Sequence, residues 1–361
     1  MNFIFAMKYV KLGSSELSVS EVCLGTMTFG EQCCEEDAFK IMDAAFEKGV
    51  NFFDVAEMYP VPPSPETCGL SEKIVGNWLE TRGIREKIIL ATKVTGPGPA
   101  RGWASQFRGE TRDPKAPPPR IDRENIRAAI EGSLRRLKTS YIDLYQIHWP
   151  DRYVPAFGRR IFDKNQIRDY TSFEEQMRAM SELIKEGKIR AWGVSNETTF
   201  GICKFCEIAA QLDLPPPVSI QNDFSLGDRR FEAELAEACE HYNVGLLVYG
   251  ALAGGMFSSK YLEGPPPEEA RHARYPDFQP RYYCRQNRAA AERYSAIAKE
   301  AGLSLAQLAY AFCKSRFFVA STIIGANNTA QLEENIRTFE EVDLGEATLA
   351  KIDEVHRDAH D

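Results

Sequence analysis

Four residues at the ends of short apolar runs have the types needed to move a proton. NFFDVAEMYP (51–60) carries strand-forming residues straight into Asp54, with Tyr59 five positions on. KIILATK (87–93) ends on Lys93, and YIDLYQIHW (141–149) runs into His148. A free phenol titrates near ~10, too high for efficient proton donation at neutral pH; an ammonium within about 4–6 Å stabilises the phenolate and lowers that value. Lys93 can supply the ammonium, and Asp54 the counter-ion that a charged lysine in a partly dry site requires. His148 can hydrogen-bond and orient a substrate carbonyl, and Trp149 can wall the pocket. Seen alone, Asp54 reads equally well as a turn residue or helix cap. No Ser-His-Asp or activated-cysteine arrangement competes with the set.

The elements that must position these residues follow a β/α rhythm. Eight candidate strands, EVCLGT (21–26), NFFDVA (51–56), KIILATK (87–93), YIDLYQIHW (141–149), IRAWGVSN (189–196), VSIQN (218–222), VGLLVYG (244–250) and STIIGA (321–326), alternate with helix-period stretches such as 36–49, 122–138 and 172–188. Several of these helices end in Gly or Lys-Gly, a usual stop. The pattern predicts a (β/α)8 barrel, with a doubly wound sheet as the alternative. In a barrel the strand tips Asp54, Lys93, His148, Asn196, Gln221, Tyr249 and Gly325 converge on one mouth, where polar residues read as catalytic. KYVKLGSSELSVS (8–20) reads as a β-hairpin plugging the opposite end. A plain barrel needs roughly 250 residues, so the excess falls in three insertions, 94–121, 149–171 and 250–287, each rising from the mouth. PPP runs at 117–119, 215–217 and 265–267 read as stiff loop segments.

Composition narrows the partners. The 361 residues are 43% hydrophobic and 27% charged, ordinary for a soluble globular protein. The net charge of −8, from 44 Lys+Arg against 52 Asp+Glu, argues against nucleic acid. No apolar run approaches the ~20 residues of a membrane helix, and MNFIFAM lacks the features of a signal peptide. Nine scattered cysteines fit a reducing compartment, so a cytoplasmic location is expected. Cys203-x-x-Cys206 lies in a helix-period window with no second pair to complete a zinc site, and Cys33–Cys34 is similarly uninformative. His356 and His360, four apart, read as a frayed helix end, and no metal site is expected. The five Lys/Arg of the first insertion (Arg101, Arg108, Arg112, Lys115, Arg120) read by default as a solvated loop. Trp103, Phe107, Trp149 and Phe29 are pocket-lining candidates by position.

Taken together, D-x-A-x-x-Y (54–59), A-T-K (91–93), Q-I-H-W (146–149), G-V-S-N (193–196) and I-I-G-A (323–326) resemble the aldo-keto reductases over the whole chain. CLGTMTFGEQ, DVAEMYPVPPSPET, VSNETTFG and STIIGANNTAQLEENI are similar to the bacterial Tas-type branch, close to potassium-channel β subunits. The resemblance implies a single barrel domain over 1–361. It would reduce an aldehyde or ketone with hydride from NAD(P)H and a proton from Tyr59, using Asp54, Tyr59, Lys93 and His148 as the catalytic tetrad. It places the nicotinamide carboxamide against Ser195, Asn196 and Gln221, with Tyr249 stacked on the ring and Thr26, Met27 and Asp54 also beside the cofactor. It assigns pyrophosphate and adenosine to Gly250, Ala251, Leu252, Gly254, Lys260, Gly325, Asn327, Gln331, Glu334 and Asn335, with free N–H donors near Asn327. No G-x-G-x-x-G follows a strand, which fits this mode of binding.

Two positions depart from the family pattern. The usual Y-S-P-L-A is Tyr249-Gly-Ala-Leu-Ala, and no basic residue follows I-I-G-A, where Asn327-Asn328-Thr329 stands. A 2′-phosphate then needs Arg281, Arg285 or Arg288. NADPH is the expected cofactor, with NADH as the alternative. The other function considered is a nucleotide-sensing regulatory or channel-associated subunit, against which His148 speaks. A sugar or pyridoxal-type aldehyde is a further substrate option. Oligomeric state is not specified by the sequence.

Overall fold

A computed structural model describes residues 7–98, 102–262, 264–268 and 270–360; residues 1–6 and Arg101 lie outside that set. Tyr9–Lys11 (β1) and Ser18–Ser20 (β2) pair antiparallel as the hairpin. Eight parallel strands follow: Val22–Gly25 (β3), Phe52–Asp54 (β4), Ile89–Val94 (β5), Ile142–Ile147 (β6), Ile189–Ser195 (β7), Ser219–Asp223 (β8), Gly245–Tyr249 (β9) and Val319–Ile324 (β10). They close in the order β10-β3-β4-β5-β6-β7-β8-β9, the predicted (β/α)8 barrel. Six strands are shorter than their apolar runs, while β8 and β10 keep the expected length and shift by one residue forward and two back.

Helices pack outside: Glu35–Glu47 (α1), Leu70–Arg82 (α2), Arg123–Leu137 (α3), Phe173–Lys185 (α4), Thr199–Leu212 (α5), Glu234–Tyr242 (α6), Arg271–Arg274 (α7), Arg285–Glu300 (α8), Leu305–Lys314 (α9), Thr329–Glu341 (α10) and Glu346–His360 (α11). Side-chain caps explain several starts. Asp122 accepts from the Asn125 N–H, Ser172 from Glu175, Thr198 from Gly201, and Ser304 with Gln307 forms a capping box. Helix α11 runs unbroken through His356, whose Nδ1 lies 3.3 Å from the Leu226 carbonyl, so the expected frayed end is a packed helix instead.

Inside the barrel two layers alternate with the period of a strand. The lower layer is apolar: Cys23, Phe52, Ala91, Leu144, Ala191 and Leu247, sealed from below by Leu12, Leu17 and Val19 of the hairpin. Two residues further along each strand stand Gly25, Asp54, Lys93, Gln146, Gly193 and Tyr249, at the mouth. Gly193 is demanded by crowding there, since a Cβ would sit 2.2 Å from Ser219 Oγ. The plug therefore makes a dry floor under a polar layer.

Candidate active site

Lys93 is the hub of that layer. Its ammonium has three hydrogens and three acceptors: Asp54 Oδ1 at 2.5 Å, Val55 O at 2.9 Å and Tyr59 Oη at 3.4 Å. Lys93 is fully buried and Asp54 nearly so. Strand β4 fixes Asp54 from the backbone side as well, because Thr26 sends both its N–H (3.0 Å) and its hydroxyl (2.9 Å) to the Asp54 carbonyl. The ring of His148, one residue past β6, meets Tyr59 edge-on at 5.7 Å between centroids. All four sequence-selected residues thus gather at one point.

Burial alone would push the Lys93 ammonium down, but the Asp54 carboxylate, aided by Tyr59, more than offsets it, and the net direction is up. Tyr59 differs from the sequence expectation. Lys93 does pull its pKa down, yet burial, reinforced by Asp54, outweighs that pull, and the phenol ends above its ordinary value. Lys93 has no acceptor, so the hydrogen of the Tyr59 hydroxyl remains for a partner in the mouth.

The loop bearing Tyr59 is held from below by a second buried pair. Arg108 of the first insertion donates to Glu57 through Nε (3.1 Å) and Nη2 (3.0 Å), while Glu57 Oε1 also accepts the Thr95 N–H at 2.6 Å. The expected solvated basic loop holds for Arg112 and Lys115, which are exposed, and is corrected for Arg108. Arg108 is buried in this pair, Arg120 bonds Asp151 at 3.0 Å, and Arg112 lies over the Phe107 ring. Trp149 stays at the mouth, its indole N–H on the Pro97 carbonyl and its ring 4.8 Å from His148 and 6.1 Å from Phe157. Phe29, expected in the pocket, is fully buried in the core, and Trp103 packs edge-on against Phe107.

The residues expected at a nicotinamide ring engage one another. Ser195 Oγ donates to the Gln221 carbonyl (2.7 Å), Asn196 Nδ2 to the His148 carbonyl (2.8 Å), and the Tyr249 hydroxyl to Asn196 Oδ1 (2.5 Å). Asn196 sits at φ 53, a left-handed conformation that asparagine tolerates. Gln221 Nε2 points inward to Asp54 Oδ2 at 2.9 Å. Met27 accepts the Val61 N–H at 2.8 Å, tying the segment after β3 to the Tyr59 loop.

Loop 250–255 follows β9 in a tight path. Gly250 has φ 76, and a Cβ there would meet Asp223 Oδ1 at 2.4 Å and the Tyr282 hydroxyl at 2.6 Å. Ala251 is buried, Leu252 packs on the core, and the Gly254 carbonyl accepts from the Tyr283 hydroxyl at 2.6 Å. Lys260 is exposed, with its ammonium over the Tyr261 ring. Past β10, Asn335 Nδ2 donates to the Gly325 carbonyl, and Glu334 is exposed. The Asn327 N–H was expected to be free, but Gln331 Oε1 accepts it at 3.1 Å while Asn328 caps the Gln331 N–H at 2.9 Å. Helix capping consumes these donors.

Arg285 and Arg288 are exposed on α8, whereas Arg281 is bound to Asp223 at 3.1 Å and stacked on Tyr282. Sequence reasoning missed Arg271, whose buried Nε has no hydrogen-bond partner among the described residues. Burial, opposed by the phenols of Tyr283, Tyr261, Tyr282 and Tyr310, lowers its pKa. It also missed Gln146, which the two-residue spacing to His148 places on the same inner face of β6, and Glu57, which stands inside the D-x-A-x-x-Y motif itself. Among the described residues no group of three or more His, Cys, Asp or Glu is placed to hold a metal, and no helix is long and apolar enough to cross a membrane.

A model of the Aldo/keto reductase family matches residues 21–357. The chain is 44% identical to Protein tas of Escherichia coli over 97% of its own length and 98% of that protein's. It is 31% identical to the uncharacterized oxidoreductase YrpG of Bacillus subtilis, covering 97% and 96% of the two chains. Against a probable voltage-gated potassium channel subunit beta of Oryza sativa subsp. japonica it is 30% identical, covering 94% and 93%. With a closed barrel, a polar mouth and a family match over nearly its full length, the chain belongs to the aldo/keto reductase family, oxidoreductases of carbonyl compounds.

Proposed function

We propose that this protein reduces an aldehyde or ketone to the alcohol with a nicotinamide cofactor, NADPH in preference to NADH, from one barrel domain. The observation that carries the reading is the Asp54–Lys93–Tyr59 chain at the mouth, with His148 beside the phenol. A bound nicotinamide supplies the hydride. Tyr59 gives the proton to the carbonyl oxygen, and His148 orients that oxygen. Burial keeps the phenol protonated until the oxygen becomes basic. Lys93, its charge sustained by Asp54, then stabilises the phenolate left behind.

The chain also suits the cofactor. Internal crowding by Asp223 and Tyr282 accounts for glycine at 250, and with glycines also at 254 and 255 the loop has few side chains to stand between its backbone and a phosphate chain. A guanidinium whose buried Nε has no partner among the described residues is suited to an anion, which supports Arg271 as the residue proposed to meet the 2′-phosphate. Asn196, Gln221 and Tyr249 supply the amides and ring suited to the nicotinamide. The test follows NADPH oxidation by absorbance with a reactive aromatic aldehyde. In Tyr59→Phe, turnover is expected to fall about 100-fold or more, with NADPH affinity, read by fluorescence quenching, within twofold of wild type. Comparable loss of both would remove Tyr59 from the proton-donor role. Binding without turnover in the wild type would move the reading to a nucleotide-sensing subunit.

A further inference from the structure

We infer that Gln146 is a positioning residue of this site: its side-chain amide fixes Asp54 and sets which way the amide of Gln221 faces. The inference rests on the reductase reading and goes one layer beneath it. Gln146 is fully buried on β6, inward-facing, beside Lys93 on the neighbouring strand. Its Nε2 lies 3.2 Å from Asp54 Oδ2, and Gln221 Nε2 lies 2.9 Å from the same oxygen. Gln221 Nε2 is also 3.2 Å from Gln146 Oε1.

The orientation of both amides follows from chemistry. A carboxylate only accepts hydrogen bonds, so the amide end facing Asp54 Oδ2 must be the NH2 end in each glutamine. One Gln221 hydrogen goes to Asp54, and Gln146 Oε1 receives the other. Gln221 is thereby locked with Oε1 turned away from the carboxylate, ready to accept from the amide of a bound nicotinamide. The two oxygens of Asp54 then divide their work: Oδ1 takes Lys93, and Oδ2 takes the two amides. Without Gln146, Oδ2 loses one of two donors and Gln221 loses its second acceptor, so its amide is held by the single bond to Asp54 and can rotate about it. A buried polar network missing one member is worse placed than its pairwise bonds suggest.

Two variants decide the matter. Gln146→Leu keeps bulk and removes both bonds. Its kcat for the aldehyde should fall about tenfold and its Kd for NADP+, by fluorescence quenching, should rise about fivefold to tenfold, with KM for the aldehyde within twofold. Gln146→Glu retains a donor only while the new carboxyl is protonated against the Asp54 charge. Its kcat should therefore hold at acid pH and decline as pH rises toward 8, an ionisation absent from the wild-type profile. If Gln146→Leu fails to fold, the pH profile of Gln146→Glu alone carries the decision. Gln146→Leu within twofold of wild type in both kcat and Kd, or a Gln146→Glu profile parallel to wild type, overturns the inference and leaves the reductase reading standing. A wild type that neither binds NADP+ nor reduces the aldehyde overturns both.

Discussion

Replacing Arg108 with methionine should destabilise the protein strongly and reverse the pH dependence contributed by Glu57. The pair is buried, with side chains 5% and 2% exposed, and it is bidentate. Removing one partner of such a pair leaves an uncompensated charge and costs about 3–5 kcal/mol. An unfolding entropy of about 2.1 cal/mol/K per residue amounts to roughly 0.8 kcal/mol/K for a chain of 361 residues. A loss of about 4 kcal/mol should therefore lower Tm by about 5 °C.

The sign with pH is the sharper part. In the native chain burial alone would raise the Glu57 pKa, but Arg108 and the Thr95 N–H bring it below its ordinary value of 4.5. A depressed carboxyl contributes stability above its unfolded value, lost as pH falls through the folded one. In Arg108→Met burial is left unopposed by that arginine, the carboxyl rises, and stability should instead fall as pH climbs from about 5 to 8. Calorimetric Tm values at both ends of that range, for wild type, Arg108→Met and Arg108→Met/Glu57→Gln, read this directly. The double variant should regain more than half of the loss, since no buried charge remains. A single variant melting within about 1 °C of wild type, or a double variant no better than the single, would refute the reasoning.

Two other perturbations probe parts of the fold that the chemistry leans on. Leu12→Ala should lower Tm by about 4 °C, from roughly 3 kcal/mol for a fully buried leucine, with kcat/KM within twofold because the hairpin plugs the far end of the barrel; an unchanged Tm would mean that the plug is dispensable. Burial pushes Asp223 up to about 6, with Arg281 opposing, so the folded state holds a proton longer than the unfolded chain and stability should decline as pH rises from about 4 through 6. Asp223→Asn should flatten Tm over that window by at most about 3 kcal/mol of pH-dependent stability; an undiminished slope in the variant would assign it to other groups.

Much of the fold was legible because its signals are local. Strands such as ILATKV and IDLYQI are short apolar runs between helix-period stretches, and Asp122, Ser172 and Ser304 announce helices before they begin. The mouth was legible because strand tips must converge once the barrel closes, which gathered Asp54, Lys93 and His148 without any contact being known. What stayed hidden depends on partners distant in sequence. Arg108 looks like any loop arginine until packing sets it against Glu57, 51 residues away. Gln146 reads as a polar interruption in a strand, because its partners lie 92 and 75 residues off. Phe29 and Arg271 were misjudged or overlooked for the same reason: burial belongs to the assembled molecule, and no window of sequence contains it.

The Tyr59 result shows what that burial does to the chemistry. From residue types alone, a lysine beside a tyrosine argues for a lowered phenol pKa. The assembled site desolvates the phenol and sets Asp54 near it, so the net direction is upward although Lys93 still pulls down. For a proton donor the two influences act on different states. Desolvation penalises the phenolate before reaction, so the proton stays on Tyr59 across neutral pH. Lys93, fully buried and with its own charge reinforced by Asp54, acts most strongly once negative charge has formed on that oxygen. A dry floor beneath the polar layer sharpens both effects, because interactions between charges strengthen as water is excluded. The desolvated phenol and the buried Asp54–Lys93 pair are thus one arrangement, which sets the protonation state from which the proposed reduction begins.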